Sequence, residues 1–325
     1  MHDEIESIPA NPEELDRQTR SVVAMIETDP FLDPETMTPT EMRKAFDRFY
    51  SRLPFPSLEI DRAENVRIPG PAGCLAARIY YPAGSSEELK PVLVFFHGGG
   101  MMMGSLNAYD GLCRRLAHRS GCLVVSATYR LAPEHKFPAA VEDALAAVRW
   151  THEHAAALGA DASRVAVGGE SGGGNLAAVV TQQLRDAGDL PIAFQLLINP
   201  AVGSSGQSTS MKRYARGFFF EPEALEWFYS QYLNTPEERD DVRVSPVLAT
   251  DFSGLPPAFI AIAGCDILRD DIERYARQLD LAGVPVETKL YEQTIHGFTV
   301  MGAKIDAGVR AIDDCGVALR RVLRD

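Results

Sequence analysis

A serine set among glycines, a run of bare glycines behind a histidine, and a late histidine preceded by an aspartate are the residues with chemistry to offer. Ser171 lies in Gly169-Glu170-Ser171-Gly172-Gly173. This Gly-x-Ser-x-Gly string suits a sharp strand-to-helix turn that lifts a hydroxyl clear of its neighbours. Gly169 and Gly173 remove side chains that such a turn would drive into the backbone. Upstream, His97-Gly98-Gly99-Gly100 follows an apolar run and offers backbone N–H groups to a negatively charged oxygen. An attacking hydroxyl and a cradle for the resulting oxyanion are the two halves of acyl transfer. The expected oxyanion donors are the N–H groups of Gly99, Gly100 and Gly172. The positive end of the helix behind Ser171 adds to them.

A serine hydroxyl is a weak nucleophile until a base takes its proton. Where such turns are used, the chain order runs serine, acid, histidine. Of the seven histidines (His2, His97, His118, His135, His152, His154 and His296), only His296 follows Ser171, so the base falls to it. His97 reads as a strut that holds the glycine loop by a ring hydrogen bond. The acid must orient His296 and stabilise its imidazolium. Asp266 follows the apolar run Ala261-Ile-Ala-Gly-Cys265 and stands 30 residues before His296, room for one helix and one strand. Asp270 and Asp271 read instead as the N-cap and a first-turn carboxylate of the next helix.

These groups need a scaffold that brings distant segments to one edge. The runs 91–96, 123–129, 165–168, 194–198 and 257–263 are near-continuously apolar, as strands buried on both faces are. A further strand is expected over 286–291, placing His296 in the loop after Tyr291. Segments 64–69 and 75–81 alternate and read as an antiparallel start to the sheet. Helical patterns lie at about 105–120, 138–158, 172–187, 269–282 and 303–323. Strand and helix in alternation predict an α/β fold, a mostly parallel sheet flanked by helices. Residues 1–54 read as amphipathic helices interrupted by Pro9, Pro12, Pro30, Pro34 and Pro39. Residues 201–233 break the alternation with an aromatic helical insertion. The division expected is 1–54 and 201–233 as a cap, with 55–200 and 234–325 as the core. Phe218, Phe219, Phe220, Trp227 and Phe228 are candidates to shape an acyl or alcohol pocket, the alternative being that they pack within the cap.

The whole composition narrows the function further. The chain has 325 residues, 46% apolar and 24% charged, as soluble domains do. A net charge of −13 without a basic run argues against nucleic acid or an anionic membrane surface as partner. The acidic start, Met1 to Glu6, is unlike a secretory signal, and no apolar stretch suits stable membrane anchoring. Five scattered cysteines (Cys74, Cys113, Cys122, Cys265 and Cys315) read as packed free thiols in a cytoplasmic protein.

Taken together, these strings are familiar. The chain resembles the hormone-sensitive-lipase-like, or bacterial family IV, esterases of the α/β-hydrolase superfamily. The matching strings are His97 to Gly100, Tyr129-Arg-Leu-Ala-Pro-Glu134, Gly169 to Asn175, Asp266-Ile-Leu-Arg-Asp270 and His296-Gly-Phe298. The resemblance implies an α/β-hydrolase fold with a helical cap and a Ser171–His296–Asp266 triad. It implies a carboxylesterase for small-molecule esters of short or medium acyl chain, with no metal or organic cofactor. On that analogy, p-nitrophenyl esters of about four to eight carbons should outperform long-chain lipids. Tyr129 to Glu134 reads as scaffold. Two departures stand out: Glu170 and Gly172 flank the serine where the family has aspartate or threonine and often alanine. Met101-Met102-Met103 replaces the usual aromatic or branched residue and offers flexible thioethers to a pocket or to the core. The same triad would serve an amidase, a lactonase or a small-metabolite deacetylase. Gibberellin receptors of plants share the scaffold without the catalytic histidine, and His296 speaks against such a binder. The reading is compatible with a homodimer.

Overall fold

Runs of Val, Leu, Ile, Phe and Ala become strands here because both faces of the sheet are covered. The computed structural model describes residues 11–28, 36–53, 55–56, 58–84, 88–203 and 208–324. Pro9, Pro30, Pro34 and the polar residues 85–87 and 204–207 lie outside the described residues. The strands are β1 (Arg62–Gly70), β2 (Gly73–Tyr81), β3 (Lys90–Phe96), β4 (Leu123–Ala127), β5 (Ala160–Glu170), β6 (Phe194–Ile198), β7 (Ala258–Cys265) and β8 (Val286–Ile295). The helices are α1 (Arg17–Thr28), α2 (Pro39–Ser51), α3 (Asp110–Ser120), α4 (Ala139–Glu153), α5 (Ala155–Leu158), α6 (Gly172–Ala187), α7 (Thr209–Arg213), α8 (Pro222–Tyr232), α9 (Arg269–Leu281) and α10 (Asp306–Leu323).

The strands form one eight-stranded sheet in the order β1-β2-β4-β3-β5-β6-β7-β8. β1 and β2, and β2 and β4, pair antiparallel; every later pairing is parallel. Every residue of β4, β6 and β7 is buried. Each such Val, Leu, Ile or Phe contributes on the order of 1.5–3 kcal/mol on leaving water, which outweighs any local preference for helix. α3 packs against α10, and α4 against α6. Asp313 of α10 accepts from Arg115 and Arg119 of α3 at 2.6 and 2.7 Å, tying that helix pair together. The α/β expectation is met in order and direction.

Several details differ from the sequence reading: β5 runs from Ala160 to Glu170, and the helix expected over 138–158 is divided into α4 and α5. β8 continues past Tyr291 to Ile295, because Glu292 and Gln293 are exposed on an edge strand and break the apolar pattern. β4 stops at Ala127, two residues early. α3 starts at Asp110 because the Ser105 hydroxyl first accepts the Ala108 N–H at 3.2 Å, a local turn that competes with helix. Leu268 is the N-cap of α9, so Asp270 and Asp271 both fall in its first turn. Of the cysteines, all free, four are buried but Cys74 is exposed on the β1–β2 hairpin. Among the described residues no helix is long and apolar enough to cross a membrane.

Candidate active site

Parallel pairing of β3, β5, β6, β7 and β8 sends their C-terminal ends to one edge. His97 follows β3, Ser171 follows β5, Asp266 follows β7 and His296 follows β8. That edge is where ligands bind in open α/β sheets. Ser171 Oγ lies 2.8 Å from His296 Nε2. On the other side of the ring, Nδ1 lies 2.7 Å from Asp266 Oδ2. A carboxylate only accepts, so the tautomer that satisfies both contacts carries its proton on Nδ1 and receives the serine O–H at Nε2. Asp266 Oδ1 accepts the Leu268 N–H at 2.9 Å, which fixes the carboxylate. The three residues singled out in the sequence thus form one hydrogen-bonded chain.

The turn that carries Ser171 is strained. Ser171 has φ 53° and ψ −117°, a conformation that costs a side-chain-bearing residue about 1–3 kcal/mol. Surrounding hydrogen bonds hold it there. Its N–H donates to Ile198 O at 2.9 Å, and its carbonyl accepts from Asn175 and Ala201 at 2.9 and 3.1 Å. Close approach requires the flanking glycines. A methyl on Gly169 would meet Gly173 O at 2.2 Å, and one on Gly173 would meet Phe96 O at 2.0 Å. Ser171 also stands at the N-cap of α6, yet its side chain does not cap the helix. The hydroxyl is turned to His296 instead.

The glycine loop abuts this turn. A methyl on Gly172 would lie 3.2 Å from Gly100 N and 3.3 Å from Met101 N. Among the described residues the Gly99 and Gly100 N–H groups have no acceptor, while Gly99 O accepts from Met102 and Met103 at 3.0 and 2.9 Å. His97 braces the loop: its Nδ1–H donates to Gly98 O at 2.9 Å, and Tyr129 O–H donates to His97 O at 2.8 Å. Burial pulls the His97 imidazole down to about 4, so it stays neutral.

His296 behaves oppositely. Burial alone would lower its basicity. The charge of Asp266, the hydrogen bond to it and the charge of Glu170 together outweigh burial and hold the imidazole above its ordinary value. Glu170 is itself 2% exposed. Burial raises its carboxyl above the usual range, against the pull of His296 and of the Tyr109 hydroxyl, which donates to Oε2 at 2.8 Å. Nothing in the sequence pairs Tyr109 with Glu170; they stand 61 residues apart, one just before α3 and the other at the end of β5.

Over Ser171 lies an apolar cavity of about 260 Å³. Met42, Phe46 and Tyr50 of α2 line it, together with Phe219, Phe220, Trp227 and Phe228 from the insertion. Phe218 turns away and packs edge-on against Tyr214, so the insertion divides between pocket and packing. Met101 and Met103 line the cavity, whereas Met102 is buried outside it. Sequence reasoning missed the α2 side chains by name and gave no sign that Phe220 would stack on His296, ring centroids 4.7 Å apart.

Known proteins share this fold. A family model described as alpha/beta hydrolase fold matches residues 93–300. The chain is 45% identical to carboxylic ester hydrolase LipN of Mycobacterium tuberculosis over 253 residues, 76% of this chain and 66% of LipN. Against esterase LipI of the same organism, identity is 42% over 81% of this chain and 82% of LipI. An ester hydrolase from the metagenome of Lake Arreo superposes with a TM-score of 0.91 at 40% identity, covering 94% of this chain and 98% of that one. With its eight-stranded sheet, its strand order and these relatives, the chain belongs to the α/β-hydrolase family, in the hormone-sensitive-lipase-like branch.

Proposed function

We propose that this chain is a serine carboxylesterase for small-molecule esters of short or medium acyl length. The observation that supports it most is the unbroken chain Ser171 Oγ–His296–Asp266, with contacts of 2.8 and 2.7 Å, opening into an apolar cavity. In this reading Ser171 attacks the ester carbonyl as His296 takes its proton. The N–H groups of Gly99, Gly100 and Gly172 hold the oxyanion, and the imidazolium returns its proton to the departing alcohol. His296 then activates water, which releases the acid from the acyl-enzyme. The names of the relatives, LipN as a carboxylic ester hydrolase and LipI as an esterase, favour ester over amide.

The size of the cavity supports a short or medium acyl chain. A cavity of about 260 Å³ falls just below the roughly 300–1,000 Å³ of pockets for drug-sized ligands. We read α1, α2 and the segment 201–233 as a two-part cap, since α2 and the insertion both line one cavity. Five unpaired cysteines fit a reducing, cytoplasmic setting. The test is a p-nitrophenyl ester series with active-site labelling by a fluorophosphonate. Ser171→Ala should abolish labelling and reduce turnover by about 10⁴-fold or more. A variant that keeps either property refutes the assignment.

A further inference from the structure

Phe220 lies over the His296 ring with centroids 4.7 Å apart and planes inclined by 26°. It comes from the link between α7 and α8, not from the sheet that carries His296. Phe220 N–H donates to Phe218 O at 2.9 Å, closing a three-residue turn with Phe219 at its apex. Phe219 has φ 74°, the backbone hand of the strained γ-turn. A bulky residue adopts it only when its surroundings force the matter. Here they do. Phe218, 1% exposed, is anchored on Tyr214 with centroids 5.1 Å apart. Arg216 binds Glu221 at 2.7 Å, and Glu221 also accepts the Gly217 N–H at 3.3 Å. Phe219 closes against the histidine turn: its Cε1 lies 4.0 Å from where a methyl on Gly297 would be.

We propose that Phe220 is a positioning residue for His296, holding the imidazole plane in line with Ser171 and Asp266 and stabilising the imidazolium through its π face. This rests on the esterase reading above. During acylation the imidazole gains a proton inside an apolar cavity, where a new charge is costly. Asp266 meets that charge at one ring edge. Phe220 meets it on a face, and an aromatic face attracts a cation more strongly where water is excluded. An aliphatic side chain of similar size fills the same space without that attraction. Besides Asp266, Ser171 and Glu170 act on His296 from the end of β5, and Tyr50 of α2 lines the same cavity, as do Tyr109, Tyr229 and Tyr232. The Tyr50 hydroxyl lies 3.7 Å from the methyl position on Gly297.

The test compares the full-length wild type with Phe220→Leu and Phe220→Tyr, using p-nitrophenyl acetate and fluorophosphonate titration of active sites. Per active site, Phe220→Leu should lose about tenfold in kcat while KM stays within about twofold. Its acidic pH limb should move to lower pH, because the imidazolium has lost a stabilising neighbour. Phe220→Tyr should restore both. A Leu variant with wild-type kcat and an unmoved limb overturns the proposal, as does an effect confined to KM or a Tyr variant that restores neither. A wild type that neither turns over the ester nor labels removes the esterase reading, and this proposal with it.

Discussion

Ser171, Asp266 and His296 hang from the C-terminal ends of parallel strands, whereas the aromatics around them hang from α2, α8 and the turn between α7 and α8. On the strand side, backbone ladders and buried hydrogen bonds set positions. Ser171 is clasped by Ile198, Asn175 and Ala201, and Asp266 by Leu268. On the helical side, positions rest on ring packing and on exposed ion pairs. Arg216, which braces the Phe219 turn, has a side chain 52% exposed. The lesson is a division of labour. The hydrogen-bonded trio is attached where backbone ladders over-determine the chain, and the aromatic walls where packing of rings does most of the holding.

Substitutions can break or sharpen that contrast. The largest effect should come from Asp266→Asn, which keeps shape but inverts the hydrogen bond that fixes the His296 tautomer. A kcat loss of about 10⁴ is expected in steady-state assays with a folded protein. If the loss is under tenfold, Asp266 is not the orienting acid. Next come two glycines one position apart. Gly173→Ala would press a methyl to 2.0 Å from Phe96 O, an overpacking that costs about 3 kcal/mol or more. Gly172→Ala meets the flexible Met101 Sδ at 2.9 Å and should leave stability within about 1 kcal/mol. Thermal melts that rank the pair the other way would discredit the elbow geometry.

The pH dependence probes electrostatics on the strand side. The proposed mechanism needs neutral His296, whose basicity is raised by Asp266 and Glu170 against the opposing effect of burial. The imidazolium therefore persists to higher pH than in a free histidine, and the acidic limb of kcat/KM should sit above about 6.5. Glu170→Gln removes one of the raising charges and should shift that limb downward. An unmoved limb would mean that Glu170 carries no charge in the working enzyme. The smallest effect belongs to the helical side. Arg216→Ala cuts exposed pairs, worth about 0–1 kcal/mol, and should barely alter the melting temperature.

How much of this could be read from the chain varies along the same divide. The parallel strands announce themselves because burial on both faces demands unbroken apolar runs, as in Phe194–Ile198. His296 was recoverable by order alone, being the single histidine after Ser171. Asp266 needed only its place after an apolar strand. The end of β8 was illegible because an edge strand tolerates Glu292 and Gln293. The Glu170–Tyr109 bond was illegible for another reason: neither residue carries periodicity or spacing that encodes a partner 61 positions away. The aromatics showed their presence but not their directions, since a strained turn at Phe219 decides which ring faces the cavity.

One property of the Ser171 turn reaches beyond turnover. Because the serine hydroxyl is turned from the helix it begins, the first amides of α6 lack the side-chain cap that serine ordinarily provides. A tetrahedral anion fixed on Ser171 would supply that missing acceptor. Covalent inhibition should then leave a tougher molecule, slower to melt and slower to be digested than the uninhibited one, so that poisoning the enzyme also preserves it.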